Sequence, residues 1–494
     1  MKKTIGIAVF TCLICFALLV FCPACQKGEG NEAKNTEAAS GDVSSPDFEG
    51  TEAAGLAADL PDLDFSGKSF VILGMDTSGR GYDEYTPGEQ IGEVINDAFY
   101  ARNLAVEERL NVKVNAFPVA EGKLNDKLKA SVLSGTDDYH VYLNHAIDST
   151  AAVLNGYLSD LNRLPYVDMS RPWWNQTAKE TLTLNGRMYL TMNDIAAYSS
   201  ISYVHTMFYN KNLAQKYGLP DIYEIIKGGS WTLSKLNELI RDTGLDLNGD
   251  GVMDGSDQYG FVGSHATAGV FLTGFDQPIM KVGEGGYPEL AINTEKTVSI
   301  AEKVYALCFE NKDSYVLPQP KEGVITEIFK QGRALFYNGF ICDANAFRDM
   351  DEDYGIVPMP KYDEAQTGYY TTIRGDNLLF GLPSTVSAPE FEFVGAVSEA
   401  LSFESYRAVR PAVYDITLKL KGTRDDASIE ILDMVTSGIK LDFGFIYHGW
   451  KGFGFVLWDM FDAKNKDFAS YYEKKEAAVT KYYAGVIDIF KNLE

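Results

Sequence analysis

The sequence predicts an α/β protein in two lobes, with a parallel sheet near its amino end and a helix-rich second lobe. Three observations carry this reading. Short apolar runs alternate with amphipathic stretches between residues 69 and 143, and strands separated by helices imply a parallel sheet. Helical spacing dominates the middle and the end of the chain. Strand-like runs return at 334–340, 354–358 and 378–380, so the chain crosses back after leaving the first sheet.

The elements follow in order. Residues 69–73 (Ser-Phe-Val-Ile-Leu) form an apolar strand that stops at Gly74. Over 93–110, Val94, Ile95, Ala98, Phe99, Leu104 and Ala105 recur at helical spacing with charges between them. Val112, Val114 and Ala116 then alternate as in a strand. A helix is expected around 124–133 and a strand over 139–143. Thr232 is placed to cap a helix whose one face carries Leu233, Leu236, Leu239 and Ile240. Residues 297–309, 324–331, 391–403 and 477–493 also read as helices. The expected organisation is a first lobe mainly of 61–190 with part of 334–390, and a second mainly of 200–330 with part of 391–494.

Ahead of the folded region lies a targeting segment. Lys2 and Lys3 precede an apolar stretch over 5–21, closed by Cys22-Pro23-Ala24-Cys25. That layout is a secretory signal. The cysteine after Ala24 makes it similar to a lipoprotein signal, in which 1–24 is removed and Cys25 carries lipid. Cys22 stands where such signals usually have Leu. An uncleaved membrane anchor fits the same residues, and both readings place the remainder outside the cytoplasm. Two acyl chains suffice for stable attachment to the cell membrane. Residues 26–60 are dominated by Gly, Glu, Ala, Ser, Asp and Thr, a composition that forms a flexible linker.

Composition excludes some partners. The net charge of −25 repels nucleic acid and anionic lipid. Of six cysteines only Cys308 and Cys342 lie in the folded region. They either pair or remain buried thiols.

One local motif points to a metal. In Asp246-Leu-Asn-Gly-Asp-Gly-Val-Met-Asp-Gly-Ser-Asp257, the spacing of an EF-hand loop assigns calcium to Asp246, Asn248, Asp250, the Val252 carbonyl, Asp254 and Asp257, with Gly251 at the sharp turn. Asp257 replaces the usual Glu and reaches less far. A solvated acidic turn has the same composition. The expected calcium is structural.

Four segments in order resemble the extracellular solute-binding lipoproteins of sugar-type ABC importers. They are Phe-Tyr-Asn-Lys-Asn-Leu-Ala-Gln-Lys-Tyr-Gly-Leu-Pro at 208–220, Gly-Ser-Trp-Thr-Leu at 229–233, Gln-Gly-Arg-Ala-Leu-Phe-Tyr-Asn-Gly at 331–339 and Tyr-Gly-Ile-Val-Pro-Met-Pro-Lys-Tyr at 354–362. Lys-Gly-Thr-Arg-Asp-Asp-Ala-Ser at 421–428 and Leu-Asp-Phe-Gly at 441–444 are similar to a Gram-positive branch of that family. The resemblance implies a type II periplasmic-binding-protein-like fold, a monomer, a small ligand such as a mono- or oligosaccharide in the interlobe cleft, and a membrane permease as partner.

Ligands of open α/β sheets lie beyond the carboxyl ends of strands. That rule selects Asp76, Asn144 and Asn338, and the expected crossovers add Asn193, Asp194, Arg374 and Asp376. Sugars stack on aromatic rings, which nominates Trp450 and Trp174 ahead of Trp231, because Gly449 and Asn175 mark loops. Catalytic motifs are absent: there is no His-Glu-x-x-His and no Gly-x-Ser-x-Gly, and Gly67-Lys68-Ser69 precedes a strand instead of following one. Paired carboxylates keep a polysaccharide-processing or glycosidase-like surface lipoprotein open as the rival reading, and an adhesion module without a small ligand is a third.

Overall fold

The computed structural model describes residues 56–419 and 426–493. The signal, Cys25, most of the linker and the 421–425 part of the family-like segment lie outside the described residues.

The chain opens with β1 (Lys68–Met75), α1 (Val94–Leu110), β2 (Val112–Val119), α2 (Leu124–Ser134), β3 (Val141–His145), α3 (Ala146–Leu154) and a short β4 (Leu158–Ser159). A buried turn at Asp194–Ala196 and α4 (Ala197–Ser202) lead to β5 (His205–Asn210), α5 (Leu233–Leu239), β6 (Tyr259–Ser264), α6 (His265–Ala268), β7 (Ser314–Leu317), β8 (Ala334–Phe340) and β9 (Tyr354–Val357). Then come β10 (Leu378–Pro383), α7 (Phe391–Glu404), α8 (Arg410–Lys419), α9 (Phe443–Ile446), α10 (Val456–Asp462) and α11 (Phe468–Asn492).

These strands form two five-stranded sheets, in the orders β2-β1-β3-β10-β4 and β7-β6-β8-β5-β9. β1 is parallel to β2 and β3, whereas β10 runs antiparallel to β3. In the second sheet β8 is parallel to β6 and antiparallel to β5. Helices cover both faces, which is why β3, β5, β6, β8 and β10 are buried almost throughout. The part of 334–390 that joins the first sheet is β10. β8 and β9 belong to the second sheet.

The crossovers fix the geometry. Thr191 bridges to Phe380 in the first sheet, and His205 opens β5 opposite Phe340 at the end of β8. On the way back Ile373 bridges to Val204, and Leu378 pairs with His145 at the end of β3. Both crossovers therefore join the carboxyl end of one sheet's parallel strands to that of the other.

The first crossover is clamped by buried charge. Arg102, 1 % exposed on α1, donates to the carbonyls of Ile195, Glu84 and Tyr85 and to Ser405 Oγ. Glu84 accepts from the amide and hydroxyl of Ser199. Asp194 pairs with Arg410 of α8 at 3.2 Å. A charge this deep is tolerated only when its hydrogen bonds are filled.

Cys308 and Cys342 are free thiols, and burial pushes both up. Among the described residues no helix is long and apolar enough to cross a membrane.

Candidate functional site

The carboxyl ends of both sheets converge on a polar cluster at the second crossover. Arg80, just past β1, donates to the Asp376 carbonyl at 2.8 Å and to Ser199 Oγ at 3.2 Å. Its guanidinium lies 4.7 Å from the Tyr203 ring centroid. Arg374 packs over Phe340 at 5.1 Å and pairs with Asp376 at 3.3 Å. Beside them several buried polar atoms have no protein hydrogen-bond partner: both side-chain amide atoms of Asn377, and Nδ1 of His145 and of His205. Burial holds both imidazoles neutral by lowering their pKa, that of His205 to about 3. Unfilled hydrogen-bonding atoms inside a fold are uncommon, so a run of them at one place makes this cluster the candidate site.

The second part is aromatic. Trp450 is 75 % exposed and its backbone is left-handed, with φ +60°. Its ring centroid lies 5.2 Å from that of Phe455, which in turn lies 5.3 Å from Trp458 and 5.7 Å from Phe445. The loop bearing Trp450 runs between α9, which touches α3, and α10, which touches α6. α3 begins where β3 ends, next to His145, and α6 begins where β6 ends. The loop is thus held between helices that contact the helices following β3 and β6.

Sequence expectations fare unevenly against this geometry. Arg374 and Asp376 converge, and Asp76 lies exposed at the end of β1, its carboxyl held below the ordinary value by the Ser78 hydroxyl and amide. Asn144 and Asn338 lie at strand ends but are 2 % and 1 % exposed. Each has its amide nitrogen donating, to Tyr142 Oη and to the Thr267 carbonyl, and its Oδ1 unpartnered. Asn193 caps the 194–196 turn and Asp194 is spent on Arg410. Trp174 and Trp231 are 1 % and 0 % exposed and belong to the core. Their indole N–H groups donate to Glu399 and to the Pro358 carbonyl, so neither offers a face to a ligand. The Asn175 beside Trp174 does mark a loop, and its Oδ1 accepts the amides of Thr177 and Ala178. Arg80, Tyr203, His145, His448, Phe455 and Trp458 were not singled out. The strand-end rule that selects Asp76 extends four residues further to Arg80.

The Asp246–Asp257 loop precedes β6, at the end of the sheet opposite the crossovers. Its side-chain oxygens accept backbone amides: Asp246 those of Gly249 and Gly251, Asp250 that of Val252, Asp257 those of Leu247 and Asp254. The amides of Asp254 and Leu247 hold the Asp257 carboxyl below its usual value. Among the described residues no group of three or more His, Cys, Asp or Glu is gathered as for a metal. Two hollows of about 390 and about 380 Å³ lie elsewhere on the second lobe, beside Leu233, Lys303 and Glu310 and beside Tyr209, Lys211 and Asp221, away from the crossovers.

The profile of the bacterial extracellular solute-binding protein family matches residues 104–390, more than half of the chain. The chain belongs to that family. Two solved structures share the fold of this solute-binding protein. A cyclo/maltodextrin-binding protein complexed with maltotetraose is 14 % identical with a TM-score of 0.51, over 86 % of this chain and 97 % of that one. M. tuberculosis UspC is 12 % identical with a TM-score of 0.53, over 84 % and 100 %. No curated protein matches the sequence.

Proposed function

We propose that this solute-binding protein captures an extracellular carbohydrate at the crossover cleft and delivers it, unchanged, to the membrane permease of an ABC importer. The observation that carries the reading is Trp450, a large ring turned 75 % into solvent from an aromatic cluster, in a protein that also has unpartnered polar atoms at its strand ends. A sugar needs both surfaces, since its C–H faces stack on rings and its hydroxyls need donors and acceptors. Asn377, His145 and His205 supply acceptors and donors, and Arg80 and Arg374 fix Tyr203 and Phe340 beside them. The maltotetraose held by one structural neighbour supports the same ligand class.

The signal layout supports export and attachment through lipid on Cys25, and the loop spacing supports a structural calcium at Asp246–Asp257. That loop fits calcium in its number of oxygens, and binding would turn carboxylates now bonded to amides toward the ion.

The test is a thermal-shift screen with malto-, cello-, xylo-, manno- and galacto-oligosaccharides, since a ligand of the native state raises the midpoint. Trp450→Ala should weaken the best binder by about 1–3 kcal/mol. No shift with any of them would defeat the carbohydrate reading. New reducing ends appearing at catalytic rates would favour the glycosidase-like alternative.

A further inference from the structure

The loop that presents Trp450 is organised by one buried side chain. His448 is 1 % exposed, and its Nδ1 accepts the Trp450 amide at 2.8 Å. Its carbonyl accepts the amides of Lys451 and Gly452 at 2.9 and 2.8 Å. The imidazole packs 4.6 Å from Phe455 and meets the Trp450 ring edge-on, at 5.2 Å and 86°. Gly449 and Trp450 are both left-handed, at φ +50° and +60°, a conformation that a side chain such as Trp rarely adopts without support. The loop has no slack on its other side: a Cβ at Gly449 would approach Tyr482 Oη to 2.1 Å, and one at Gly454 the His448 ring to 2.7 Å.

We propose that His448 is the positioning residue of this site, accepting the Trp450 amide so that the strained backbone turns the indole outward to stack on ligand. The proposal rests on the carbohydrate reading for its purpose. Its geometry stands apart from that reading.

The chemistry follows from the acceptor. Nδ1 accepts, so the ring proton is on Nε2, which has no protein partner. Burial lowers the pKa to about 4, against the pull of Asp459 on α10. The remaining titratable groups near the ring are Tyr447 and Lys451 in its own segment, Lys475 on α11, paired with Asp459, and Tyr482 and Tyr483, also on α11. Protonating Nδ1 would set a donor against the Trp450 N–H and release the turn.

The test uses the full chain with His448→Phe, His448→Asn and Trp450→Ala. Phe keeps a ring but no acceptor. Asn restores an acceptor, since its side-chain carbonyl takes the amide two residues on, and it does not titrate. Three readouts are made: exchange of the Trp450 amide, indole quenching by acrylamide, and affinity against pH for the oligosaccharide that shifts the melt most. His448→Phe should speed amide exchange and weaken binding roughly fivefold to tenfold, as for one hydrogen bond. His448→Asn should stay within about twofold of wild type and lack the decline in affinity expected of wild type toward about pH 4. Unchanged exchange and affinity in His448→Phe would overturn the proposal, as would an acid decline that persists in His448→Asn. Faster exchange in His448→Phe, with no oligosaccharide bound by wild type, would keep the backbone role and overturn the carbohydrate reading instead.

Discussion

Glu399 on α7 accepts two indole N–H groups at once, from Trp173 and Trp174 at 2.8 Å each, and replacing it with Gln yields a pH-dependent result whose sign is fixed by the structure. Burial raises its pKa from 4.5 to about 7, against the hydrogen bonds from Trp174, Trp173 and the Asp168 amide. Between those values the folded protein holds a proton that the unfolded chain has lost, so folding takes up a proton. Stability from this group is therefore full below about 4.5 and is lost as pH rises through about 7. The span corresponds to about 3 kcal/mol. Gln removes that penalty, but it can accept only one indole and faces the other with a donor, a loss of about 1–3 kcal/mol at any pH. At about pH 5 the Glu399→Gln protein should be the less stable by that amount. At about pH 8.5 that gap should close or reverse, because wild type then bears the buried charge. Urea unfolding followed by tryptophan fluorescence at both pH values measures the difference. A gap that is the same at both would refute the assignment of Glu399 as a buried carboxyl that titrates at about 7.

Other expectations test the crossover, the metal and the anchor. Asp194→Asn leaves Arg410 buried without its charge and should lower stability by about 3 kcal/mol, read as a shifted urea midpoint; an unmoved midpoint would show the pair to be dispensable. Chelation should lower the melting midpoint of wild type in calcium and leave Asp250→Ala unmoved, and an unshifted wild-type curve would favour a plain acidic turn. Cys25→Ala should release the protein from membranes or leave an unprocessed precursor, and normally processed, membrane-bound protein would reject lipidation at that residue.

Much of the fold was legible because its strands are buried on both faces. Continuous apolar runs such as 69–73, 334–340 and 378–380 stand out from flanking Gly and Pro, and the periodic stretch at 93–110 became α1 within a residue. β5 and β6 were harder. His205-Thr-Met-Phe-Tyr-Asn210 and Tyr259-Gly-Phe-Val-Gly-Ser264 mix polar and glycine residues, because polar atoms there serve the sheet end and the close packing around Gly260, where a Cβ would lie 2.5 Å from Ile240. The site was half legible. Trp450 declared itself through Gly449, since a left-handed pair needs a glycine neighbour. Trp174 misled, because what buries it is Glu399, 225 residues away, and no local pattern encodes a partner at that distance. Arg80 likewise meets the Asp376 carbonyl only when the second crossover returns.

That return also governs how the protein can be made. β10 lies between β3 and β4 and antiparallel to both, yet more than two hundred residues, the whole second sheet among them, are synthesised between β4 and β10. A nascent chain that stops short of residue 383 has β3 as an open sheet edge, able to pair with whatever strand it meets. The first lobe is consequently finished from its far end, and its closure waits on a long loop whose entropy must be overcome late. A fragment ending near residue 190 should therefore aggregate. Adding back a separate chain that begins before 371 should restore a soluble complex, making the two lobes complementary halves of a single folding event.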